Sequence, residues 1–146
     1  MASWAEFEAA QPGFASRVRQ LMQLRKHLTM ATLRRDGSPR ISGTEVQFVD
    51  GDLRIGSMLN AVKARDLQRD PRVAIHGPTS DPPDEDPGLW TGEAKIAGRA
   101  IELPSHEGDH AFVIDIDEAV ITSLQGGRLV VESWNQRRGH HRLERD

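Results

Sequence analysis

Several kinds of chemistry are missing from this sequence of 146 residues. It contains no cysteine, which excludes disulfide bonds, thiolate metal sites and thiol nucleophiles. No apolar run is long enough to cross a bilayer, and the chain does not start with the charged and then apolar pattern of a signal peptide. The net charge of -3 gives no general attraction to nucleic acid or anionic lipid. We therefore expect a cytoplasmic protein with neither nucleic acid nor a membrane as its partner.

Familiar catalytic motifs are also missing. No Gly-x-Ser-x-Gly turn would position a nucleophilic serine, and neither a P-loop nor a dinucleotide-binding fingerprint occurs. His106 and His110 lie four residues apart with Asp109 between them, a spacing that would place both imidazoles on one face of a helix. Pro104 and Gly108 disfavour a helix there. The sequence therefore predicts no metal site.

Cap and turn signals show how the first half of the chain is organised. Ser3 followed by Glu6 is the pattern of a capping box at the start of one or two N-terminal helices. Asp-Gly pairs at 36–37 and 50–51 predict tight hairpins, because such turns need positive φ angles. These turns would join three strands into an antiparallel meander, in which residues 39–49 form one return strand.

The second half of the chain is predicted to continue as strands. They are expected at 73–75, 89–103, 111–124 and 128–134, and the proline-rich, acidic segment 77–88 is predicted to be a solvated loop. With few helices and no alternation of strand and helix, the fold should be a mainly β, antiparallel barrel of six to seven strands with peripheral helices. We expect a single domain over 1–146, with helices in 1–26, the barrel in 27–134 and a basic tail in 135–146.

The functional hypothesis depends on the stretch from Leu53 to His76. Its pattern indicates a strand, a turn, a short helix, another turn and a second strand. Ser57 or Asn60 can cap the helix, and the following proline ends it. A helix start with a hydroxyl group, free N–H groups, Lys63 and Arg65 is suited to holding a phosphate. The alternative is a surface helix whose charged side chains are solvated.

A second candidate binding element lies near the end of the chain. Trp134 is followed by Arg137 and Arg138, and an aromatic plate with cations could stack on a flat ligand or hold an anionic one. The alternative is an indole that seals the end of the barrel, with the basic residues outside. The sequence leaves both interpretations open.

Together these patterns resemble the pyridoxamine 5'-phosphate oxidase-like superfamily of FMN-binding split barrels. The resemblance is carried by the strand 28–33, the turn 36–39 and the run K-x-x-x-L-x-x-D-P-R-V from Lys63 to Val73. It implies a split barrel that forms a homodimer, with two cofactor sites at the subunit interface. The hairpin that ends at Trp134 is similar to the branch of the family that uses the deazaflavin F420 in place of FMN.

The resemblance also implies an activity and a set of site residues. The activity would be that of a flavin- or deazaflavin-dependent oxidoreductase acting on a small organic substrate. The expected cofactor-binding residues are Ser42, Thr44, Ser57, Lys63, Arg65 and Glu93. Of these, Lys63, Ser57 and Arg65 would hold the phosphate. Ser42 and Thr44, on the strand 40–47, would form hydrogen bonds with the edge of the ring. Glu93 would approach the ring from the other subunit. Trp134 and Arg138 would line the substrate side.

The sequence departs from the strict oxidases at several of these positions. Those enzymes have basic residues where this chain has Ser42, Gln47 and Val62, and an amide where it has Glu93. Fewer cations imply weaker binding of an FMN phosphate. The C-terminal substrate motif of the true oxidases is not recognisable, so oxidation of vitamin B6 phosphate is not expected.

Two alternatives to the oxidoreductase hypothesis stay open. The first is a carrier that binds FMN or F420 in the same site but does not turn over. The second is a dimeric barrel that binds another ligand such as haem, in which His27 or His76 would matter.

Overall fold

The structure is a computed structural model that describes residues 1–105 and 108–146. In those residues nine strands form one antiparallel sheet, accompanied by three α-helices. The helices are α1 (Trp4–Ala10), α2 (Pro12–Met22) and α3 (Val62–Arg69). The strands are β1 (Leu28–Leu33), β2 (Pro39–Thr44), β3 (Val46–Val49), β4 (Asp52–Ser57), β5 (Arg72–His76), β6 (Glu93–Leu103), β7 (His110–Gln125), β8 (Arg128–Asn135) and β9 (Gly139–Arg145). The predicted mainly β fold with few helices is confirmed.

The long strand β7 divides the sheet. The strand order is β2-β1-β5-β6-β7-β4-β3, and β6 pairs along most of one edge of β7. On the other edge, β4 pairs with residues 110–113 and β8 pairs with residues 119–125. The two ends of this strand order, β2 and β3, are consecutive in the chain and are separated only by Glu45. The chain itself therefore links the two edges of the sheet into a barrel.

Three local signals in the first 51 residues are realised as predicted. The Ser3 hydroxyl accepts a hydrogen bond from the Glu6 N–H at 3.1 Å, and the Glu6 carboxylate accepts one from the Ser3 N–H at 3.0 Å. Asp50 and Gly51 both have positive φ angles, 52° and 79°, as a type I′ hairpin requires. Gly37 has a φ of 85° in the β1–β2 turn. The capping box and both Asp-Gly turns are thus confirmed.

Three predictions about the strands are wrong. The sheet has nine strands instead of six or seven, and residues 39–49 form two strands instead of one. The predicted C-terminal tail contains β9, which pairs with β8 along its length. Nearly all residues of β9 are exposed, so this strand lacks the alternation of apolar and polar residues by which a strand is recognised.

An aromatic cluster joins the N-terminal helices to the barrel. The Trp4 ring packs edge-on against Phe7 and Phe48, with centroid distances of 5.2 Å and 4.7 Å. Phe7 in turn packs against Trp134 of β8 at 4.6 Å. Such aromatic contacts add stability beyond the burial of their apolar area. The helices α1 and α2 therefore close one side of the barrel core.

In the described part of the chain, no helix is both long and apolar enough to span a membrane.

Candidate functional site

An open cleft of about 550 Å³ lies beside the connection between β4 and α3. This volume is in the range of small-molecule sites. The polar side chains that line it come from four strands and one helix, and they include Thr44, Gln47, Arg54, Ser57, Lys63 and His110. The cleft therefore combines cations, hydroxyl groups and an imidazole at the end of the barrel where α3 begins.

Lys63 is the second residue of α3 and reaches across the cleft. Its ammonium group donates a hydrogen bond to the carbonyl oxygen of Gly43 at 2.7 Å. The prediction that Ser57 or Asn60 caps this helix is wrong. The N-cap is Ala61, which makes no side-chain capping bond, because Asn60 adopts a left-handed φ of 61° and turns the chain just before the helix.

Three of the predicted cofactor-binding residues line this cleft and three do not. Ser57 stands at the end of β4 and Thr44 at the end of β2, and both line the cleft with Lys63. The residues outside it are Ser42, Arg65 and Glu93. Arg65 is exposed and its guanidinium donates to the side-chain oxygen of Asn60 at 3.3 Å, while Glu93 lies 3.5 Å from the imidazole of His76. The roles predicted for these six residues stay predictions.

The structure does not bring Trp134 and Arg138 into the cleft. Trp134 is only 3% exposed and packs against Phe7 in the core. This position matches the alternative of an indole that seals the barrel and corrects the expectation of a ligand-stacking ring. Arg138 is exposed in the turn between β8 and β9, where its backbone N–H donates to the side chain of Asn135 at 2.7 Å.

Sequence reasoning missed two cationic or protonatable groups of the cleft. Arg54 projects from β4 and is held by Asp52, with 2.9 Å between the guanidinium and the carboxylate. His110 begins β7, and its Nδ1 lies 3.2 Å from the Glu102 carboxylate, which also accepts a hydrogen bond from Gln68 at 2.8 Å. The hydrogen bonds from Gln68 and His110 lower the pKa of Glu102. The contacts of His110 join three elements distant in sequence, so no local pattern could reveal its setting.

The His106 and His110 spacing that was considered as a metal motif lies partly outside the described residues, because His106 is not among them. Among residues 1–105 and 108–146, no group of three or more histidine and carboxylate side chains is placed to hold a metal ion.

A buried carboxylate on α3, that of Asp66, fixes the position of this helix. Asp66 accepts hydrogen bonds from Thr32 at 2.7 Å, Arg40 at 2.7 Å and Arg69 at 2.9 Å. Burial raises the pKa of the Asp66 carboxyl, but the three hydrogen bonds outweigh it and the net pKa is lowered. Because Thr32 lies on β1 and Arg40 on β2, this cluster anchors α3 to the first hairpin.

The sheet forms an antiparallel barrel with an open cleft at one end, and comparison with known proteins identifies the family. The family model described as pyridoxamine 5'-phosphate oxidase matches residues 14–141. The chain belongs to this family. A search of the curated proteins finds no significant match.

Three solved structures illustrate the range of proteins that share this fold. A pyridoxamine 5'-phosphate oxidase-related, FMN-binding protein from Nostoc punctiforme has a TM-score of 0.65 and 12% identity, covering 93% of this chain and 96% of its own. The haem storage protein HutZ from Vibrio cholerae has a TM-score of 0.61 and 13% identity, covering 81% and 98%. An F420 reductase has a TM-score of 0.52 and 14% identity, covering 69% and 94%. At sequence identities of 12–14%, the structural similarity shows only that these proteins share the fold.

Proposed function

We propose that this protein binds FMN or F420 in the cleft beside α3 and acts as an oxidoreductase on a small organic substrate. The observation that carries the proposal is the meeting of Lys63 and Ser57 with Thr44 in one cleft. The family membership and the FMN- and F420-related structures with the same fold support this choice of cofactors.

The residues of the cleft fit a phosphorylated cofactor. The Lys63 ammonium is bonded to a neutral carbonyl, and a phosphate in its place would form the stronger, charge-assisted hydrogen bond. Arg54 adds a second cation to the lining of the cleft, which partly replaces the basic residues that the strict oxidases have elsewhere. The hydroxyl of Ser57 completes a set of donors suited to phosphate oxygens.

In this proposal the protein binds and orients, and the bound FMN or F420 supplies the capacity for hydride transfer. Lys63 and Ser57 would hold the phosphate, and Arg65, which lies outside the lining of the cleft, is a further candidate for this role. Thr44 and Ser42, on the same strand, bond the edge of the ring system. The wall formed by the end of β2 and the start of β3 would shield one side of the ring system from water.

We also propose that the functional unit is a homodimer. Ile41 on β2 is 75% exposed, and it borders an apolar patch on the outer face of β1, β5 and β6 that includes Ala31 and Ala74. A second copy on this face would cover the patch and bring its Glu93 towards the cofactor. Light scattering on the purified protein should give twice the mass of the chain, and Ile41→Asp should give monomers. A wild-type monomer at micromolar concentration would contradict the dimer.

The cofactor proposal is tested by binding. Saturating FMN or F420 should raise the melting temperature, because a ligand at 100 times its Kd stabilises the native state by about 2.7 kcal/mol. If neither cofactor shifts the melting temperature, the proposed function is wrong. Consumption of the reduced cofactor with a panel of enones and quinones then separates an enzyme from a carrier that does not turn over.

Haem binding is a second candidate because an exposed imidazole lies at the edge of the cleft. His27 is 82% exposed and lines the cleft. His76 is less available, since its Nδ1 lies 2.6 Å from the Gly77 carbonyl oxygen and its Nε2 lies 3.5 Å from Glu93. A Soret band after addition of haem that disappears in His27→Ala would favour this candidate over the flavin proposal.

A further inference from the structure

We propose that Gly43 and Gly56 form the surface against which the planar ring of the cofactor lies, and that glycine stands at both positions to leave room for this ring. We call these two residues the glycine pair. The inference rests on the proposed function, because it assigns a contact surface in the same cleft to the fused ring that FMN and the deazaflavin F420 have in common.

Most glycines of this chain are explained by the chain itself. Seven of the 13 have a positive φ angle, which other residues rarely adopt. Gly77 and Gly98 are confined by packing, because a Cβ atom would lie 3.1 Å from the Met22 sulfur at the first position and would collide with the Asp115 carbonyl oxygen at the second. Gly88 lies in a turn where a Cβ atom would be 3.2 Å from the carboxylate of Asp86.

The remaining three glycines have neither reason, and two of them line the cleft. Outside the adjacent residues, and within the described chain, a Cβ atom on Gly43 would meet only the Leu28 carbonyl oxygen, at 4.0 Å. On Gly56 it would meet only the His110 carbonyl oxygen, at 3.8 Å. The third is Gly13 in α2. Glycine within a strand lowers stability and often marks a place where a ligand approaches the backbone closely.

The glycine pair faces the cleft and lies outside the core. Leu53 and Ile55 of β4 are buried in the core, so Gly56 points to the opposite side of the sheet, where it is exposed. Its partner in the β4–β7 ladder is Ala111, which also lines the cleft and adds only a methyl group. Gly43 is exposed next to the end of β2. The cleft therefore contains bare backbone on two strands.

The neighbours of the glycine pair favour an aromatic ligand with an anionic group. The face of a planar ring can approach bare backbone to about 3.5 Å over many atoms at once. Met58 lines the cleft two residues after Gly56 and is 74% exposed, and a thioether makes favourable contacts with aromatic rings. The Lys63 ammonium lies 2.7 Å from the Gly43 carbonyl oxygen. A flat apolar surface thus adjoins the group proposed to hold the phosphate.

Valine at either position separates the requirement of the ligand from that of the fold. Valine favours strands, and the Cβ positions have no close contact. Without cofactor, the melting temperature of Gly43→Val and of Gly56→Val should therefore stay unchanged or rise by up to about 3 °C. The added side chain occupies the space of the ring, so the Kd of FMN or F420, whichever the wild type binds, should rise by about tenfold to hundredfold. Fluorescence titration measures the Kd, and calorimetry measures the melting temperature.

Two further variants serve as controls for size and for position. Alanine at the same two positions adds a single methyl group and should weaken binding in the same direction by a smaller factor. Gly13→Ala changes a glycine that has free space at its Cβ position but lies outside the cleft. It should leave the Kd unchanged.

Ligands that lack part of the cofactor show which part the glycine pair contacts. Riboflavin carries the ring of FMN without the phosphate, and F420 cleaved at its phosphate gives the corresponding deazaflavin. The valine variants should weaken binding of this ligand by the same factor as binding of the complete cofactor. Lys63→Ala should weaken binding of the complete cofactor alone.

Each contrary result has a defined meaning. Wild-type affinity for the cofactor in either valine variant would overturn the inference and leave the proposed function standing. A loss of affinity confined to the ligand with phosphate would place the glycine pair at the phosphate and would also overturn it. A lower melting temperature in the alanine variants would show that the fold itself requires glycine there, with the same consequence. If the wild type binds neither cofactor, the proposed function fails and this inference fails with it.

Discussion

Two positions on α3, three residues apart, present opposite solutions for a charged side chain. Asp66 is 2% exposed and accepts hydrogen bonds from three side chains on two strands and on α3 itself. Lys63, three residues earlier, extends into an open cleft and contacts one carbonyl oxygen. A buried charge must be fully paired in order to be tolerated, whereas a charge with one weak partner is available to a ligand. The first is an anchor and the second is a binding group.

The hydrogen bonds of Asp66 also fix the position of Lys63. Because Asp66 ties α3 to β1 and β2, the helix start that carries Lys63 has a fixed position relative to the carbonyl end of β2. A binding residue on a rigid element loses less conformational entropy when its ligand arrives. Four predictions test this division of roles, in order of decreasing effect.

Removal of the anchor should have the largest effect on stability. Asp66→Ala leaves the side chains of Arg40, Arg69 and Thr32 without their common acceptor, and we expect a loss of about 3 kcal/mol in the free energy of unfolding. The two guanidinium groups are about one-third exposed, which keeps the cost at the lower end of the range for buried pairs. Urea unfolding measures this loss. Asp84→Ala, in the exposed loop before β6, is the control, and an equal effect of both variants would refute the anchoring role.

Removal of the binding group should change affinity and leave stability unchanged. Lys63→Ala should weaken binding of FMN or F420 by about 1–3 kcal/mol, which is the contribution of a hydrogen bond to a charged group. Its free energy of unfolding without cofactor should stay within about 0.5 kcal/mol of the wild type. Fluorescence titration gives the Kd, and Lys26→Ala provides a matched lysine on the surface. An unchanged Kd would show that Lys63 does not hold the phosphate.

Acid should weaken the anchor with a predictable sign. The pKa of Asp66 is lower in the folded protein than its ordinary value, so this carboxylate contributes stability above about pH 4 and the contribution is lost as the pH falls through the folded pKa. Asp66→Asn lacks the contribution at every pH. The difference in unfolding free energy between wild type and Asp66→Asn should therefore shrink on acidification from pH 7 towards pH 3. A difference that grows towards low pH would contradict the lowered pKa.

The smallest effect is expected at Arg65, which is neither part of the Asp66 cluster nor in the lining of the cleft. Its exposed guanidinium contacts only the side chain of Asn60 among the described residues, and exposed interactions of this kind contribute at most about 1 kcal/mol. Arg65→Ala should therefore raise the cofactor Kd by no more than a few-fold, as measured in the same titration. A loss as large as that in Lys63→Ala would move Arg65 into the binding group.

The success of sequence-based prediction follows the range of the interactions involved. The capping box at Ser3 and the turns at Asp36-Gly37 and Asp50-Gly51 depend on atoms within four residues of each other, and all were predictable. The division of residues 39–49 at Glu45 was not, because both halves are extended and only their pairing with different partners separates them. The same limit explains why β9 escaped prediction.

In the candidate site, too, only residues close together in the sequence could be predicted. Lys63 and Ser57 could be singled out because they lie six residues apart in one recognisable run. The anchoring role of Asp66 depends on Thr32 and Arg40, which are 34 and 26 residues away, and the setting of His110 depends on residues 8, 42 and 50 positions away. Trp134 has a residue type suited to a core and to a ligand site alike, and only the packing of Phe7 against it decides between them.

The last strand, β9, has an unpaired edge that its polar sequence protects. In the described chain β9 pairs with β8 alone, so its outer edge presents unsatisfied backbone groups to solvent. An open edge of this kind is a template for pairing with other molecules, and natural proteins protect it with charged side chains. Arg142, Glu144 and Arg145 supply such charges along β9. The polar sequence that made this segment look like a tail is therefore what keeps an exposed strand from seeding aggregation.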